Sequence, residues 1–274
     1  MDGGPARLFD AMAGRYDELE PWYAHFYERL HAMLDGVFPA SRRGSARRVL
    51  DAGCGSGFQT ARLAARGWTA HGVDVSAGLL AAARKRLDRP LLALASVEAL
   101  PYGDASFDGA VCCGSTLSFV GDPARALIEL GRVLRPGAAL LLDCEHKWNL
   151  DLAWMLLLDF GVTAGEVRRA LVRPLREGFA LPYPEYGLLR FFTRGEIAAM
   201  LGAAGFTLER VAGIHALTNV LPSTLLHREG LPRGVGALYR ALCALDRALA
   251  PRPPARWIAN SLVVVARRRG GRRG

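Results

Sequence analysis

The chain has 274 residues, 51% of them hydrophobic, with a net charge of +9. That length carries one large α/β domain with insertions or two small ones, and the apolar fraction excludes a disordered chain. Five cysteines, odd in number and without a CxxC or Cys/His pattern, exclude a disulfide scaffold and a zinc site.

From Leu8 to Phe38 the apolar residues recur at helical spacing, which predicts two helices broken near Pro21. MDGGPARLFD at the start has no apolar signal core, so a reduced, cytoplasmic protein is expected. A basic linker from Pro39 to Arg48 leads into a strand over Arg48 to Asp51. A helix is predicted over Gln59 to Arg66, ended by Gly67, then a strand over Ala70 to Asp74. Ser76 can cap a helix over Ala77 to Leu87. A short strand near Leu91 to Ala95 and another over Phe107 to Cys113 come next, and on the latter Cys112 and Cys113 should face opposite ways. A helix over Pro123 to Val133 and a strand over Ala138 to Cys144 complete a strand–helix alternation, which argues for a parallel sheet covered on both faces.

The rhythm then breaks. A long segment, Glu145 to Leu189, holds the longest apolar stretch, LAWMLLLDFGV from Leu152, which is too short to span a bilayer and carries Asp159. A lid or buried helix is expected there. Thr193 caps a helix over Arg194 to Ala204, followed by a strand over Phe206 to Val211. A second long segment, Ala212 to Trp257, includes ALYRALCALDRALA from Ala237, whose leucines at 238, 242, 245 and 249 form a stripe. SLVVVARR from Ser261 reads as a final strand with both faces covered. The tail RRRGGRRG supplies five of the excess positive charges and is expected to be a disordered, solvated end.

The chemistry concentrates in RVLDAGCGSG, Arg48 to Gly57, and HGVDVS, ending at Ser76. An apolar run ends in Asp51, a glycine turn follows at Gly53, Gly55 and Gly57, and a second apolar run ends in Asp74. This is the layout of a βαβ unit that binds a nucleoside at the carboxyl ends of its strands, the second acid accepting from the ribose hydroxyls. Phe58 stands where the dinucleotide fingerprint needs its third glycine, and no Gly-Lys-Ser/Thr follows, so NAD and P-loop readings are disfavoured. Asp51 beside the turn would repel a pyrophosphate and suits a cationic ligand.

These two stretches resemble the first two motifs of the class I S-adenosylmethionine-dependent methyltransferases. The resemblance covers about Phe9 to Tyr16, Arg48 to Cys144, Phe191 to Val211 and the final strand. It implies a doubly wound, seven-stranded, mostly parallel Rossmann-like α/β sheet with helical lid insertions. It also implies one domain over 1–274: an N-terminal helical cap (1–44), a cofactor-binding core (45–144), lid or substrate insertions (145–190 and 212–257) and the basic tail (267–274). Asp51 and the backbone of Gly53, Cys54 and Gly55 would meet the methionine half of S-adenosyl-L-methionine. Asp74 would take the ribose hydroxyls and Val75 would pack on the adenine. In ASVEALPYGDASFD, which resembles the third motif, Ser96 stands where an acid commonly accepts from the adenine amine, and the Val97 N–H would meet a ring nitrogen. Glu98 is two residues on. The Cys113 carbonyl would meet the cofactor's amino group. FDAMAGRYDE resembles the opening helix of quinone-type methyltransferases, with Tyr16 covering the cofactor.

Cys113-Gly114-Ser115-Thr116 replaces the Asn/Asp-Pro-Pro-aromatic run of nucleic-acid amino methyltransferases, and no Pro-Cys pair is present, which weighs against base methylation. The acceptor is expected to be a small, lipophilic or aromatic molecule methylated on oxygen or carbon. Candidate bases are Glu145, His146 and His215, with His227, Tyr183 and Tyr186 behind them; no metal is expected. The alternatives are an RNA or protein methyltransferase using the arginine tail, and a non-catalytic cofactor-binding protein of this fold.

Overall fold

In the computed structural model, each half of the apolar alternation faces a different core. The structure describes residues 5–13, 21–41, 47–152, 154, 165, 178–183, 187–226 and 231–270. Two helices come first, α1 (Pro5–Met12) and α2 (Pro21–Val37). The α/β alternation then runs β1 (Arg48–Ala52), α3 (Phe58–Ala65), β2 (Thr69–Asp74), α4 (Ala77–Arg86) and β3 (Leu91–Leu94). It continues with β4 (Phe107–Cys112), α5 (Thr116–Phe119), α6 (Pro123–Val133) and β5 (Leu134–Glu145). From β1 onward these elements match the predicted ones within a residue or two, except β5, which starts earlier, and α5, a single turn with no sequence signal; α1 starts at Pro5 and ends at Met12, and residues 14–20 before the expected break lie outside the described residues.

Beyond β5 lie β6 (Phe179–Tyr183), β7 (Gly187–Phe191), α7 (Arg194–Ala203) and β8 (Phe206–Ile214). The chain closes with α8 (Ser223–Leu226), α9 (Arg233–Leu249) and β9 (Ser261–Arg268). The first insertion therefore contains an antiparallel hairpin, β6–β7, where a helical lid is expected. Its alternation was hidden by Pro182 within β6. The apolar stretch from Leu152 lies mostly outside the described residues.

Seven strands form one sheet in the order β3-β2-β1-β4-β5-β9-β8. β1 to β5 are parallel, and β9 runs antiparallel between β5 and β8. Leu50, Ala110, Cys112, Leu140, Leu142 and Val264 pack on one face with α6 and α7. Val49, Val111, Cys113, Leu141, Val263 and Val265 pack on the other with α2, α3 and α9. Cys112 and Cys113 do face opposite ways, as period-two geometry requires. The chain reverses its direction of winding between β1 and β4, so a crevice opens at the carboxyl ends of those strands.

α7 begins with a reciprocal capping box between Thr193 and Glu196. At the other end of the chain, Arg267 and Arg268 belong to β9 rather than to a loose tail. Arg267 pairs with Glu209, and Arg268 donates to the carbonyls of Gly131 and Gly205.

Candidate functional site

The crevice at the switch point holds a cavity of about 380 Å³. Its floor is the turn after β1. Gly53, Gly55 and Gly57 all have positive φ, and the N–H groups of Gly53 and Cys54 both donate to the Val73 carbonyl, at 2.7 and 2.9 Å. A Cβ at Gly53 would run into the Thr116 side chain, so only glycine permits this approach of the β1 and β4 loops.

Asp74 ends β2 and enters the cavity already oriented. Its carboxylate accepts from the Gly55 N–H at 2.8 Å and the Ser76 N–H at 2.9 Å. Burial pushes its carboxyl above the ordinary range, and those N–H groups counter the shift. Ser76 caps α4 through the Leu79 N–H and donates at 2.6 Å to Asp10 of α1. Asp10 also accepts from the Gly78 N–H, which pins α1 over the cavity, where Ala6 and Phe9 form part of the wall. Phe9 meets Phe119 edge-on at 5.4 Å.

On the far wall, Val75 offers an exposed apolar surface beside Ser96, Val97 and Glu98. The Ser96 hydroxyl is engaged within its own turn: it accepts from the Glu98 N–H at 3.1 Å and donates to the Glu98 carboxylate at 3.2 Å. The other Glu98 oxygen accepts from the Asp122 N–H at 2.6 Å. The charged group on this wall is thus Glu98.

The loop after β4 is held from below. Asp143, fully buried on β5, accepts from the N–H groups of Gly114 and Ser115 at 2.7 and 3.0 Å. Burial raises its carboxyl to about 6. Ser115, with φ of 58°, donates to Glu145 at 2.8 Å, and the other Glu145 oxygen accepts from Asn260. Burial lifts Glu145 to about 7. Asp143 as an anchor was legible only as an acid ending a buried apolar run.

Residues 50–142 match the model of a family described as a methyltransferase domain. A 2-phytyl-1,4-naphtoquinone methyltransferase of Nostoc punctiforme is 39% identical over 155 residues, which is 53% of this chain and 66% of that relative. The chain thus spans just under two thirds of that relative's length. A demethylmenaquinone methyltransferase of Clavibacter sepedonicus is 28% identical over 259 residues, 92% of this chain and 96% of its own. Over residues 50–142 the chain is thus similar to a methyltransferase domain. The fold agrees: a chain from the complex of the Haloferax volcanii Trm112 methyltransferase activator with a putative methyltransferase superposes with a TM-score of 0.64. That pair is 15% identical and covers 99% of this chain and 100% of the other.

Of the residues expected from the resemblance to meet the cofactor, Gly53, Gly55, Asp74, Val75, Ser96, Val97 and Cys113 line the one cavity. Asp51 and Cys54 do not. Asp51 is buried beneath the turn, accepts from Thr60 at 2.5 Å, and is raised to about 7 by burial. Cys54 is buried with its sulfur beside Gly72. Tyr16 lies outside the described residues.

The candidate bases are not brought together. Glu145 does not line the cavity: its carboxylate is taken up by Ser115 in the loop behind it and by Asn260. His146 borders a second cavity of about 620 Å³ with Trp148, Trp257 and the start of α7. Its Nδ1 lies 3.0 Å from the Ala259 carbonyl, and burial lowers it to about 4. His215 is buried elsewhere, stacked at 4.1 Å on Trp22 and bonded to Thr218. Tyr183 lies on β6, while His227 and Tyr186 fall outside the described residues. Phe9 and Glu98 also line the wall; Phe9 opens the stretch that resembles the family's first helix, but only Tyr16 was singled out there.

Proposed function

We propose that the protein transfers a methyl group from S-adenosyl-L-methionine to oxygen or carbon of a small, lipophilic or aromatic acceptor in the cytoplasm. The observation that carries this reading is Asp74, held by two backbone N–H groups at the end of β2 and facing the cavity over the glycine turn. The cavity's residues fit the cofactor: a glycine floor that a Cβ would close, an acid for two hydroxyls, and an apolar slot with its own acid.

Asp74 accepts from the ribose hydroxyls. Phe9 and Val75 flank the adenine, the Val97 N–H meets a ring nitrogen, and Glu98 takes the adenine amine in place of Ser96. Gly53 and Gly55 bring backbone against the methionine half, with the Cys113 carbonyl at the amino group and Asp51 bracing the turn. When bound, the cofactor supplies an electrophilic methyl on a sulfonium. The chain's work is then to orient the acceptor and exclude water. The chain is read as one domain, with a cap over 1–44 and insertions at 145–190 and 212–257, and Glu145, bonded to Ser115 behind the cavity, is the candidate base whose role the pH profile tests.

The names of the Nostoc and Clavibacter relatives, a naphtoquinone and a demethylmenaquinone methyltransferase, support a lipophilic aromatic acceptor. Five cysteines, all reduced and buried, support a reducing compartment. Calorimetry with S-adenosylmethionine, S-adenosylhomocysteine and NADH tests the reading. Micromolar binding of the first two, lost in Asp74→Ala, is expected, followed by labelled-methyl transfer to quinone-class extracts. Binding of NADH alone would overturn it.

A further inference from the structure

α9 has three faces: one is buried, one is apolar and open, and the third carries arginines, of which Arg247 pairs with Glu28 of α2. Tyr239, Cys243 and Asp246 are buried against α2 and the sheet. Leu238, Leu242, Leu245 and Leu249 recur at the same intervals along a different side of the helix. Leu238, Leu245 and Leu249 are 50%, 52% and 47% exposed. Ala237, Ala241, Ala244 and Ala248 are exposed as well and extend this face outward. On the opposite flank stand Arg233, Arg240 and Arg247, all exposed. The helix's one acid, Asp246, is turned inward and held by His25 and three backbone N–H groups. Arg247 is answered by Glu28 of α2, so what α9 shows solvent is apolar surface and the positive charge of Arg233 and Arg240, with no carboxylate of its own. The same insertion leaves Val220 and Trp257 more than half exposed.

We infer that α9 is a docking surface for an anionic phospholipid bilayer, on which the helix lies in the interface with its Leu/Ala face among the acyl chains. The charge decides the occupant. An amphipathic helix with arginines at the edge of an apolar Leu/Ala face is attracted to anionic headgroups and gains by burying its apolar side. A second copy would bring the same face, with arginines again and no exposed acid of α9 to answer them. No described helix is long and apolar enough to cross a membrane, so the contact is peripheral. The inference does not depend on methyl transfer, because the surface contains none of the cavity's residues.

The test is co-sedimentation of the full chain with vesicles of phosphatidylglycerol and phosphatidylcholine in equal parts, and with phosphatidylcholine alone. Binding to the mixed vesicles only, weakened by salt, is expected. The triple variant Leu238→Ser, Leu245→Ser, Leu249→Ser should bind at least about tenfold more weakly, and Arg240→Glu about fivefold. A chain ending at Gly270 should bind as the full chain does. Circular dichroism melting and S-adenosylhomocysteine binding, both unchanged in these variants, show that fold and cavity are intact. Undiminished binding by the triple variant overturns the inference. So does loss of binding on removing residues 271–274, which would assign the attraction to the tail. A dimer that the triple variant dissociates, without vesicle binding, would make the occupant a second copy.

Discussion

Ser96 and Glu98 sit side by side on the cavity wall, but their hydrogen bonds give them different work. The Ser96 hydroxyl both donates and accepts within its turn, whereas Glu98 presents a carboxylate anchored at each oxygen. Glu98→Ala should therefore lower S-adenosylmethionine affinity about tenfold, the scale of a lost hydrogen bond to a charged group. Ser96→Ala should cost about twofold, through the turn alone; calorimetry on the two variants separates them. The bases divide by pH. Glu145, raised by burial to about 7, is protonated below that value. His146, lowered to about 4, is neutral across the physiological range. If Glu145 takes the proton, the rate under saturating substrates rises with pH through about 7, and Glu145→Gln flattens the profile. A profile flat from pH 5 upward in the wild type would transfer the role to His146 or to no base.

At the scale of elements, the N-terminal cap is fastened to the second insertion by a buried ion pair. His25 of α2 meets Asp246 of α9 at 3.1 Å, both almost wholly buried. Asp246 also accepts from the N–H groups of His215, Ala216 and Leu217, which fixes His215 at a φ of 59°. Burial alone would lower His25, but Asp246 and Cys243, through hydrogen bonds and charge, together outweigh it and carry His25 to about 9. Burial would raise Asp246, and His25 with the backbone donors lowers it instead. A raised histidine stabilises the fold fully below its unfolded value near 6.5 and loses that contribution as pH climbs through 9. A lowered aspartate contributes above 3.8 and loses its share as pH falls. Wild type should then exceed His25→Gln by about 2 kcal/mol between roughly pH 4 and 6.5, and match it above about 9. Thermal melts of both proteins across that range measure the difference. Asp246→Ala, which strands the histidine and three N–H groups, should cost at least about 3 kcal/mol.

The whole molecule decides what the positive charge is for. Arg267, Arg268 and Arg269 are already engaged with Glu209 and with the carbonyls of Gly131, Gly205 and Gly202. That leaves Arg272 and Arg273 as the tail's remaining cations, outside the described residues. A chain ending at Gly270 should retain cofactor affinity and methyl transfer. Any RNA retention should be weak and vanish with added salt, as read by filter binding from low to high ionic strength. Activity lost with the tail would revive the nucleic-acid reading.

Much of this protein was legible in its residue order, because the signals are local. The glycine turn between two strand-end acids, the period-two alternation at Val49–Leu50 and Val263–Val264, and the cap at Thr193 each lie within a few residues of what they specify. These were enough for the parallel sheet, the switch-point crevice and seven residues of its wall. The rest depends on residues far apart in the chain. Asp10 reaches Ser76, Asp143 braces the loop at Gly114, and His25 finds Asp246 across 221 positions. The leucine stripe of α9 shows the same limit. Its spacing predicts an amphipathic helix, but periodicity cannot say which side is inward. Tertiary packing decided that, because Asp246 and its neighbours satisfy buried donors that leucine cannot, and the stripe was left facing out.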